Sequence, residues 1–321
     1  MALIQLPNIL IGHATNSDGP TGCTVILCPQ GAVAGIDIRG SASGTRQTDS
    51  LFSLHRVPQI HGLFFSGGSA FGLDAAGGVM QFLEEKGIGF DVRVTRVPIV
   101  PTAILFDLSL GDVFCRPDKA MGYQACLNAS DQETAEGSVG AGTGASIGKL
   151  FGITQATKGG LGYAVCHSQG GLTVAALVVV NAFGDVLDNR GAIIAGARTA
   201  ADSTTFADTW ESFKQGCIPS QFIVHNNTTL GVILTNARLT SYQARKLAQM
   251  GHNALARSIA PVHTLFDGDT LFALSVGEME SDINQVGILG QEMIQEAIVK
   301  AVKTADGFGL IPAWKDLQDR G

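Results

Sequence analysis

The sequence predicts a layered α+β protein, a sandwich of sheets and helices rather than a regular alternation of strand and helix. Short apolar runs typical of strands lie among longer segments whose apolar residues recur at three-to-four spacing, and the two kinds are mixed rather than alternating. The content of 45% hydrophobic and 15% charged residues is typical of a globular chain. The 41 glycines and 7% aromatic residues favour tight turns and close backbone packing.

Six apolar runs are expected to form strands because they are short, apolar and bounded by turn residues. They comprise residues 22–27, 31–38, 60–65, 172–180, 230–235 and 271–276. Only Cys-Pro-Gln separates the first two runs, and this spacing predicts a β-hairpin.

Three segments, 69–86, 240–256 and 290–303, have the spacing of amphipathic helices. Gly87 is placed to end the first helix, and Thr240 to cap the start of the second. In contrast, residues 198–220 are polar and lack a strand pattern, which predicts a long surface excursion. Such irregular segments in compact domains often carry function.

Charge and hydropathy exclude several classes of function. The net charge of −7, with no basic face, predicts no nucleic-acid partner. No run reaches 18 apolar residues, so no membrane partner or span is expected. The N-terminus has no basic leader, and the six cysteines lack C-x-x-C spacing. We therefore expect a cytoplasmic protein with buried, reduced thiols and no zinc site or disulfides.

Residues 226–229, Asn-Asn-Thr-Thr, run directly into an apolar strand and are the strongest candidate for chemistry. Alone, this tetrapeptide is typical of a turn. The alternative is cleavage of the Asn227–Thr228 bond, which gives Thr228 a free α-amine beside its own hydroxyl. The ordinary pKa of such an amine, about 7.7–8, leaves a useful neutral fraction at pH 7. The amine can then act as general base for Thr228 Oγ.

Four further polar residues have both a structural and a functional interpretation. Asp267 and Asp269 form either a solvated Asp-Gly-Asp turn or a carboxylate pair that orients a nucleophile. The segment lacks the glycine of a calcium loop. Asn181 ends a Val-rich run, either as a turn residue or as an oxyanion donor. Lys149 is the last residue of the glycine-rich segment 137–149. This segment is either a structural loop, or it places the Lys149 ammonium in a site where it stabilises negative charge.

The same segment fails the Walker A pattern, because Thr143 stands at the first glycine position and Leu150 instead of Ser or Thr follows Lys149. It matches the loose dinucleotide pattern only weakly, because polar residues instead of a strand precede it. The seven histidines show no metal-ligand spacing, and no G-x-S-x-G elbow is present. We therefore expect no metal and no cofactor.

Eight segments, taken together, resemble the DmpA-like family of L-aminopeptidase/D-esterases, which includes β-peptidyl aminopeptidases and nylon-oligomer hydrolases. These segments follow the family's order over nearly the whole chain, at residues 31–40, 44–49, 66–76, 97–101, 137–149, 178–185, 227–229 and 263–270.

The resemblance implies a four-layer αββα sandwich, similar to N-terminal-nucleophile hydrolases but with different connectivity. It also implies one hydrolase domain, 1–321, that cleaves itself into an α chain (1–227) and a β chain (228–321). These chains are expected to form a homo-tetramer of αβ units. By position, the resemblance makes Thr228 the nucleophile and Asn227 its partner in autocleavage.

For the remaining site residues, the resemblance implies that Asn181 donates to the oxyanion, Lys149 stabilises charge, and Asp267 and Asp269 orient the nucleophile. This chain departs from many aminopeptidase members, which begin the β chain with Ser. Its Thr228, and its Asp pair where β-peptidyl aminopeptidases have Ser and Glu, agree better with the nylon-oligomer branch.

The expected function is that of a self-processing aminopeptidase or amidohydrolase that acts on a small peptide, amide or ester. Two related alternatives are an amide endohydrolase of the nylon-oligomer type and an acyltransferase of the ornithine acetyltransferase type. A third alternative, from another class, is a regulatory protein that binds a nucleotide at the Gly140 loop.

Overall fold

A computed structural model describes residues 6–52, 57, 59–132, 134–217 and 227–318. Within these ranges the chain forms sixteen strands. They are β1 (Leu10–Asn16), β2 (Thr21–Ile38), β3 (Gly44–Arg46), β4 (Gln59–Ser66), β5 (Phe90–Asp91), β6 (Arg96–Val97), β7 (Thr102–Ile104), β8 (Ser146–Ile147), β9 (Thr157–Lys158), β10 (Gly160–His167), β11 (Thr173–Asn181), β12 (Asp185–Leu187), β13 (Ile193–Ala195), β14 (Thr228–Ala237), β15 (Ile259–Ala260) and β16 (Thr270–Met279).

Six α-helices accompany these strands in the described ranges. They are α1 (Ala76–Glu85), α2 (Lys119–Leu127), α3 (Thr209–Lys214), α4 (Ser241–Ser258), α5 (Ile283–Lys303) and α6 (Trp314–Gln318). Four short 3-10 segments lie at Thr48–Leu51, Ser69–Ala75, Gly140–Gly142 and Ile153–Gln155. No helix in the described part of the chain is long and apolar enough to cross a membrane.

Nine strands form the main sheet, in the order β10-β11-β14-β16-β2-β4-β7-β3, with β1 also paired to β2. The long strand β2 joins the two halves of this sheet. Its C-terminal half pairs with β16, and its N-terminal half pairs with β1 and β4.

Helices cover both halves of the sheet. Because side chains alternate across a strand, Val178 of β11 packs towards α4 and α5, whereas its neighbour Leu177 faces the interior of the sandwich. In the other half, Phe64 packs towards α1 and α2, and Phe65 faces the same interior. The two halves of the sheet therefore face each other, and helices cover their outer sides. This gives the four layers that were predicted, with helices outside and the two half-sheets inside. Burying each such Leu or Phe side chain contributes about 1.5–3 kcal/mol.

The predicted hairpin between residues 22–27 and 31–38 is wrong, because both runs belong to the single strand β2. Its pairing with β4 shifts register between Leu27 and Ala32, which marks a bulge. Pro29 lies in this bulge, where a missing N–H costs the ladder no hydrogen bond. The Asn8 side chain stabilises the bulge through two hydrogen bonds, because its Nδ2 donates to Gly31 O (3.0 Å) and its Oδ1 accepts from Gln30 N (2.7 Å).

The other predicted strands and helices are confirmed, although some of their ends differ. The four later apolar runs lie in β4, β11, β14 and β16. Segment 69–86 forms a 3-10 turn followed by α1, α4 extends two residues beyond the predicted end at 256, and α5 begins at Ile283, seven residues before the predicted start. Thr240 caps α4 in a reciprocal capping box with Gln243. The Gly87 N–H closes α1 by donating to Glu84 O, with the glycine in the left-handed region.

The polar segment 198–220 contains the short helix α3, and its last three residues lie outside the described part of the chain. The thiols differ from expectation: Cys23, Cys28 and Cys126 are buried, whereas Cys115, Cys166 and Cys217 are only partly buried. The three partly buried thiols lie in a loop or near the end of a strand or helix.

Candidate active site

Thr228 and Asn181 are direct neighbours across two central strands. Thr228 begins β14, Asn181 ends β11, and the antiparallel register places the two residues opposite each other. The run Thr-Val-Ala-Ala-Leu-Val-Val-Val before Asn181 is buried on both faces and holds this end of the sheet rigidly. Both polar residues are also buried, Asn181 completely and Thr228 with 1% exposed. A polar pair in this position requires hydrogen-bonding partners.

The peptide bond between Asn227 and Thr228 is held by the segment before β16. The Asn227 N–H donates to Phe266 O (2.8 Å), and the Asn227 carbonyl oxygen accepts from Gly268 N (2.5 Å). Thr228 Oγ1 lies 2.5 Å from that same carbonyl oxygen, to which it donates. The Gly268 N–H and the Thr228 hydroxyl therefore both donate to this carbonyl oxygen and polarise the carbonyl.

Gly268 is required for this geometry because a side chain there would collide with the hydroxyl. A Cβ at position 268 would lie 2.7 Å from Thr228 Oγ1 and 2.7 Å from Ala42 O. The glycine thus allows the two segments to approach closely while its N–H donates to the Asn227 carbonyl.

Lys149 is buried and donates to both oxygens of Asn181, to Oδ1 at 2.8 Å and to the backbone carbonyl at 3.3 Å. Asn181 Oδ1 also accepts from Ser146 N (3.0 Å), and its Nδ2 donates to Phe106 O (3.0 Å). Burial lowers the pKa of Lys149 to about 7, and the negative charge of Asp267 opposes that shift.

Asp267 is 2% exposed and accepts hydrogen bonds from residues on both sides of the site. The Thr264 hydroxyl (2.6 Å) and N–H (3.0 Å) donate to Oδ2, and Phe183 N donates to Oδ1 (3.2 Å). Burial raises the pKa of Asp267 to about 6, and the nearby Asp269 carboxylate raises it further, whereas the hydrogen bonds lower it.

Asp269 connects the start of β14 to the loop before β16 through hydrogen bonds. Its Oδ1 accepts from Thr229 N (2.8 Å), the first peptide N–H after Thr228. Its Oδ2 accepts from the N–H of His263 (3.2 Å) and faces Nδ1 of the same residue at 2.8 Å. Asp269 is 1% exposed, so these contacts replace the water that a carboxylate otherwise binds.

The structure brings together all the residues that the sequence singled out. Asn181 pairs with Thr228, Lys149 binds Asn181, Asn227 forms a parallel bridge with Asp267, and Asp269 binds the residue after Thr228. Five of these six residues contribute the candidate nucleophile, amide, cation and carboxylates, which are Thr228, Asn181, Lys149, Asp267 and Asp269. The first residue of the tetrapeptide 226–229 lies outside the described part of the chain.

Sequence reasoning missed the contributions of Gly268, Thr264 and His263. Gly268 was interpreted only as part of a turn, although a glycine between two carboxylates indicates close backbone approach. Thr264, three residues before Asp267, has the spacing of a local side-chain-to-backbone turn. His263 begins the segment 263–270 that resembles the family, but no role was predicted for it, because its contact with Asp269 depends on the shape of the loop.

The glycine-rich segment is packed inside the fold, contrary to the nucleotide-binding alternative. Its 3-10 turn lies against β2, where Ala141 N donates to Thr24 Oγ1 (3.0 Å). A Cβ at Gly142 would lie 2.4 Å from Leu161 N of β10. The segment therefore fills the space between strands and delivers Lys149 to the site, and it leaves no open cradle for a phosphate.

Residues 2–309 match the family model of peptidase family S58. The chain belongs to peptidase family S58. Similar sequences include an uncharacterized aminopeptidase of Mycobacterium leprae, 37% identical over 98% of this chain and 93% of the relative. A 6-aminohexanoate-oligomer endohydrolase of Kocuria sp. is 30% identical over 93% of this chain and 85% of the relative. The predicted aminopeptidase-type hydrolase is thereby confirmed for this S58 member.

Structural comparison shows the fold of this S58 chain. The L-aminopeptidase D-Ala-esterase/amidase of Ochrobactrum anthropi, described as a variant of the Ntn hydrolase fold, superposes with a TM-score of 0.72. The match covers 98% of this chain and 91% of the other at 18% sequence identity. Together with the layer order above, it confirms the predicted four-layer sandwich.

Proposed function

We propose that this S58 hydrolase activates itself by cleavage of the Asn227–Thr228 bond. Thr228 Oγ attacks the Asn227 carbonyl carbon, its hydroxyl proton passes to the nitrogen of Thr228, and collapse of the tetrahedral intermediate breaks the C–N bond. The result is an Asn227 ester on Thr228 Oγ and a free Thr228 α-amine. Water then hydrolyses the ester, which leaves Asn227 with a carboxylate and restores the hydroxyl. The products are an α chain, 1–227, and a β chain, 228–321.

The observation that carries this proposal is the environment of the Asn227 carbonyl oxygen. Gly268 N and Thr228 Oγ1 both lie 2.5 Å from it. Charge develops on this oxygen during attack, and a fixed backbone N–H aimed at it stabilises that charge. The Asn227–Phe266 hydrogen bond and the Thr229–Asp269 hydrogen bond hold the peptide on each side of the bond that breaks.

The same site then serves hydrolysis of substrate. The free α-amine of Thr228 takes the hydroxyl proton, and Oγ attacks the carbonyl carbon of a small peptide, amide or ester. The substrate carbonyl takes the place of the Asn227 carbonyl, so that Gly268 N donates to its oxyanion. The amine or alcohol of the substrate leaves with the proton held by the Thr228 α-ammonium, and water hydrolyses the acyl-enzyme ester.

Four neighbours support the nucleophile in this proposal. Lys149 holds the Asn181 amide beside Thr228 and contributes positive charge when protonated. Asp267 and Asp269 fix the loop that carries Gly268, and Asp269 also anchors the peptide after Thr228. Asn181 Nδ2 donates to Phe106 O in the uncleaved chain. Its donation to an oxyanion therefore requires the amide to exchange partners after cleavage.

An amide endohydrolase of the nylon-oligomer type is the second candidate. It is favoured by the relative named 6-aminohexanoate-oligomer endohydrolase, to which 93% of this chain aligns. Aminopeptidase action predicts release of a terminal residue from aminoacyl p-nitroanilides. Endohydrolase action instead predicts internal cuts in amide oligomers.

The assembly and compartment are also proposed. The family resemblance favours a homo-tetramer of αβ units, and the compartment proposed from the sequence is the cytoplasm. Light scattering of the processed protein measures the assembly, and a mass of one αβ unit would contradict it.

A denaturing gel with N-terminal sequencing tests self-cleavage directly. We expect two bands from the purified chain, and the smaller band should begin at Thr228. A single intact band that persists through prolonged incubation would contradict the proposal. Assays on the two substrate types then decide between terminal and internal cleavage.

A further inference from the structure

His263 lies at the start of the loop that carries Asp267 and Asp269, but no predicted catalytic role includes this histidine. Its Nδ1 lies 2.8 Å from Asp269 Oδ2, and its backbone N–H donates to the same oxygen at 3.2 Å. The opposite oxygen of Asp269 accepts from Thr229 N at 2.8 Å. A chain of two hydrogen bonds therefore connects the imidazole to the peptide that follows Thr228.

The charges around His263 favour an imidazole that donates from Nδ1. Asp269 faces the ring directly, and its carboxylate can only accept when ionised. On the other side, the buried ring of His252 lies edge-on at 4.8 Å between ring centroids. His252 Nε2 contacts the backbone oxygen of Asp37 at 3.0 Å, and the Asp37 carboxylate accepts a hydrogen bond from Arg39 Nε. Burial lowers the pKa of His252 to about 4, which keeps that neighbour uncharged at neutral pH.

We propose that His263 is a positioning residue for Thr228, an inference that rests on the proposed self-cleaving activity. The imidazole Nδ1–H holds Asp269 Oδ2, which fixes the rotation of the carboxylate and keeps Oδ1 on Thr229 N. Thr229 N–H follows the nucleophile directly, so this contact sets the direction in which Thr228 Oγ1 meets the Asn227 carbonyl. Without the Nδ1 donor, one of three hydrogen bonds to a buried carboxylate is lost, and only the longer backbone bond from His263 N still restrains Oδ2.

Position 263 offers a substitution that separates the hydrogen bond from the shape of the ring. His263 has φ +57, in the left-handed region that Asn tolerates better than most residues. Asn also places its Nδ2 close to the position of imidazole Nδ1. His263→Asn therefore removes the ring but keeps a donor for Asp269, whereas His263→Ala removes both.

The experiment measures first-order conversion of freshly refolded precursor to the α and β chains for wild type, H263N and H263A. We expect H263A to slow cleavage about tenfold or more, because misorientation of a nucleophile is costly. H263N should remain within about threefold of wild type, because its amide can supply the missing donor. His167→Ala, at an exposed histidine bonded to Thr173, is the matched control and should leave the rate unchanged.

Unfolding of the same variants in the Thr228→Ala background keeps the result interpretable. Both H263N and H263A lose packing against His252, so comparable melting temperatures for the two would assign their rate difference to the donor. Equal slowing of both variants, or wild-type cleavage by H263A, would overturn the inference. Failure of the proposed function has a different signature: wild-type precursor would stay intact, or Thr228→Ala would still be cut at the same bond.

Discussion

Gly268 N donates to the carbonyl oxygen of Asn227 at 2.5 Å, although 41 residues separate the two in the chain. The contact arises where Asn227 forms a parallel bridge with Asp267 at the start of the β14–β16 pair. The register of the apolar strands β14 and β16 therefore places the Gly268 N–H against the carbonyl of the Asn227–Thr228 peptide bond. This relationship makes the proposed cleavage site testable without altering the nucleophile.

Gly268→Ala should give a folded chain that cleaves itself at least about 100-fold more slowly, because a small displacement of a nucleophile has an effect of that order. The added Cβ would lie 2.7 Å from Thr228 Oγ1, so the hydroxyl must move away from the carbonyl. Cleavage is followed on denaturing gels. Gly62→Ala is the control, since a Cβ there meets its nearest atom at 3.6 Å. Rapid cleavage by the Gly268 variant would contradict the assigned geometry.

Thr228→Ala should abolish both self-cleavage and hydrolysis, whereas Thr228→Ser should retain both because it keeps a hydroxyl at the same position. Thr229→Val is the matched control on the adjacent residue. The Thr229 hydroxyl has no hydrogen-bond partner among the described residues, and Val has nearly the same shape. We expect the Val variant to cleave at the wild-type rate. Similar losses in the Ala and Val variants would show that disruption of the strand, rather than loss of the nucleophile, explains the effect.

The strands and helices that were predicted correctly have strong local patterns. β11 and β14 are apolar on both faces, and α4 carries its own capping box, so local sequence specifies each of them. The error at β2 has a local cause as well. Cys-Pro-Gln-Gly resembles a turn, but Asn8 supplies the hydrogen bonds that let the chain continue as a bulged strand. That contact comes from more than 20 residues away.

The site was predictable in its residue types, through the family resemblance, but not in its contacts. Asn181 was expected to donate to an oxyanion, yet its Nδ2 donates to Phe106 O and its Oδ1 accepts from Lys149 and Ser146. The backbone donors Gly268 and Ser146 have no side-chain signature. Their positions depend on strand register and loop shape, which form only when distant segments pack.

Asn181→Ala should destabilise the uncleaved chain by about 3 kcal/mol, because it removes the Oδ1 acceptor of Ser146 N and leaves the buried Lys149 ammonium only the backbone carbonyl at 3.3 Å. Urea unfolding in the Thr228→Ala background measures this cost. Asn236→Ala is the comparison at the other end of the same strand pair, where the amide accepts from Thr173 N and the site is partly exposed. We expect the smaller loss there. If Lys149→Met relieves much of the Asn181→Ala cost, the buried ammonium is its main source.

The buried ammonium of Lys149 should also make stability depend on pH. Its pKa is lowered from 10.5 to about 7, so between these values the unfolded chain binds more protons than the folded chain. Stability from this group therefore rises as pH increases from 7 towards 10.5, by about 1.4 kcal/mol per pH unit. Lys149→Met removes the group, and its free energy of unfolding should rise less steeply with pH.

Urea titrations from pH 7 to 9 measure both slopes, again in the Thr228→Ala background so that every sample remains one chain. Lys158 also contributes to the slope, because burial lowers its pKa to about 7 as well, and both chains retain this residue. The difference between the slopes therefore isolates Lys149. Parallel curves for the two chains would show that Lys149 keeps an ordinary pKa in the folded state. A steeper rise in the Met variant would reverse the sign assigned to its burial.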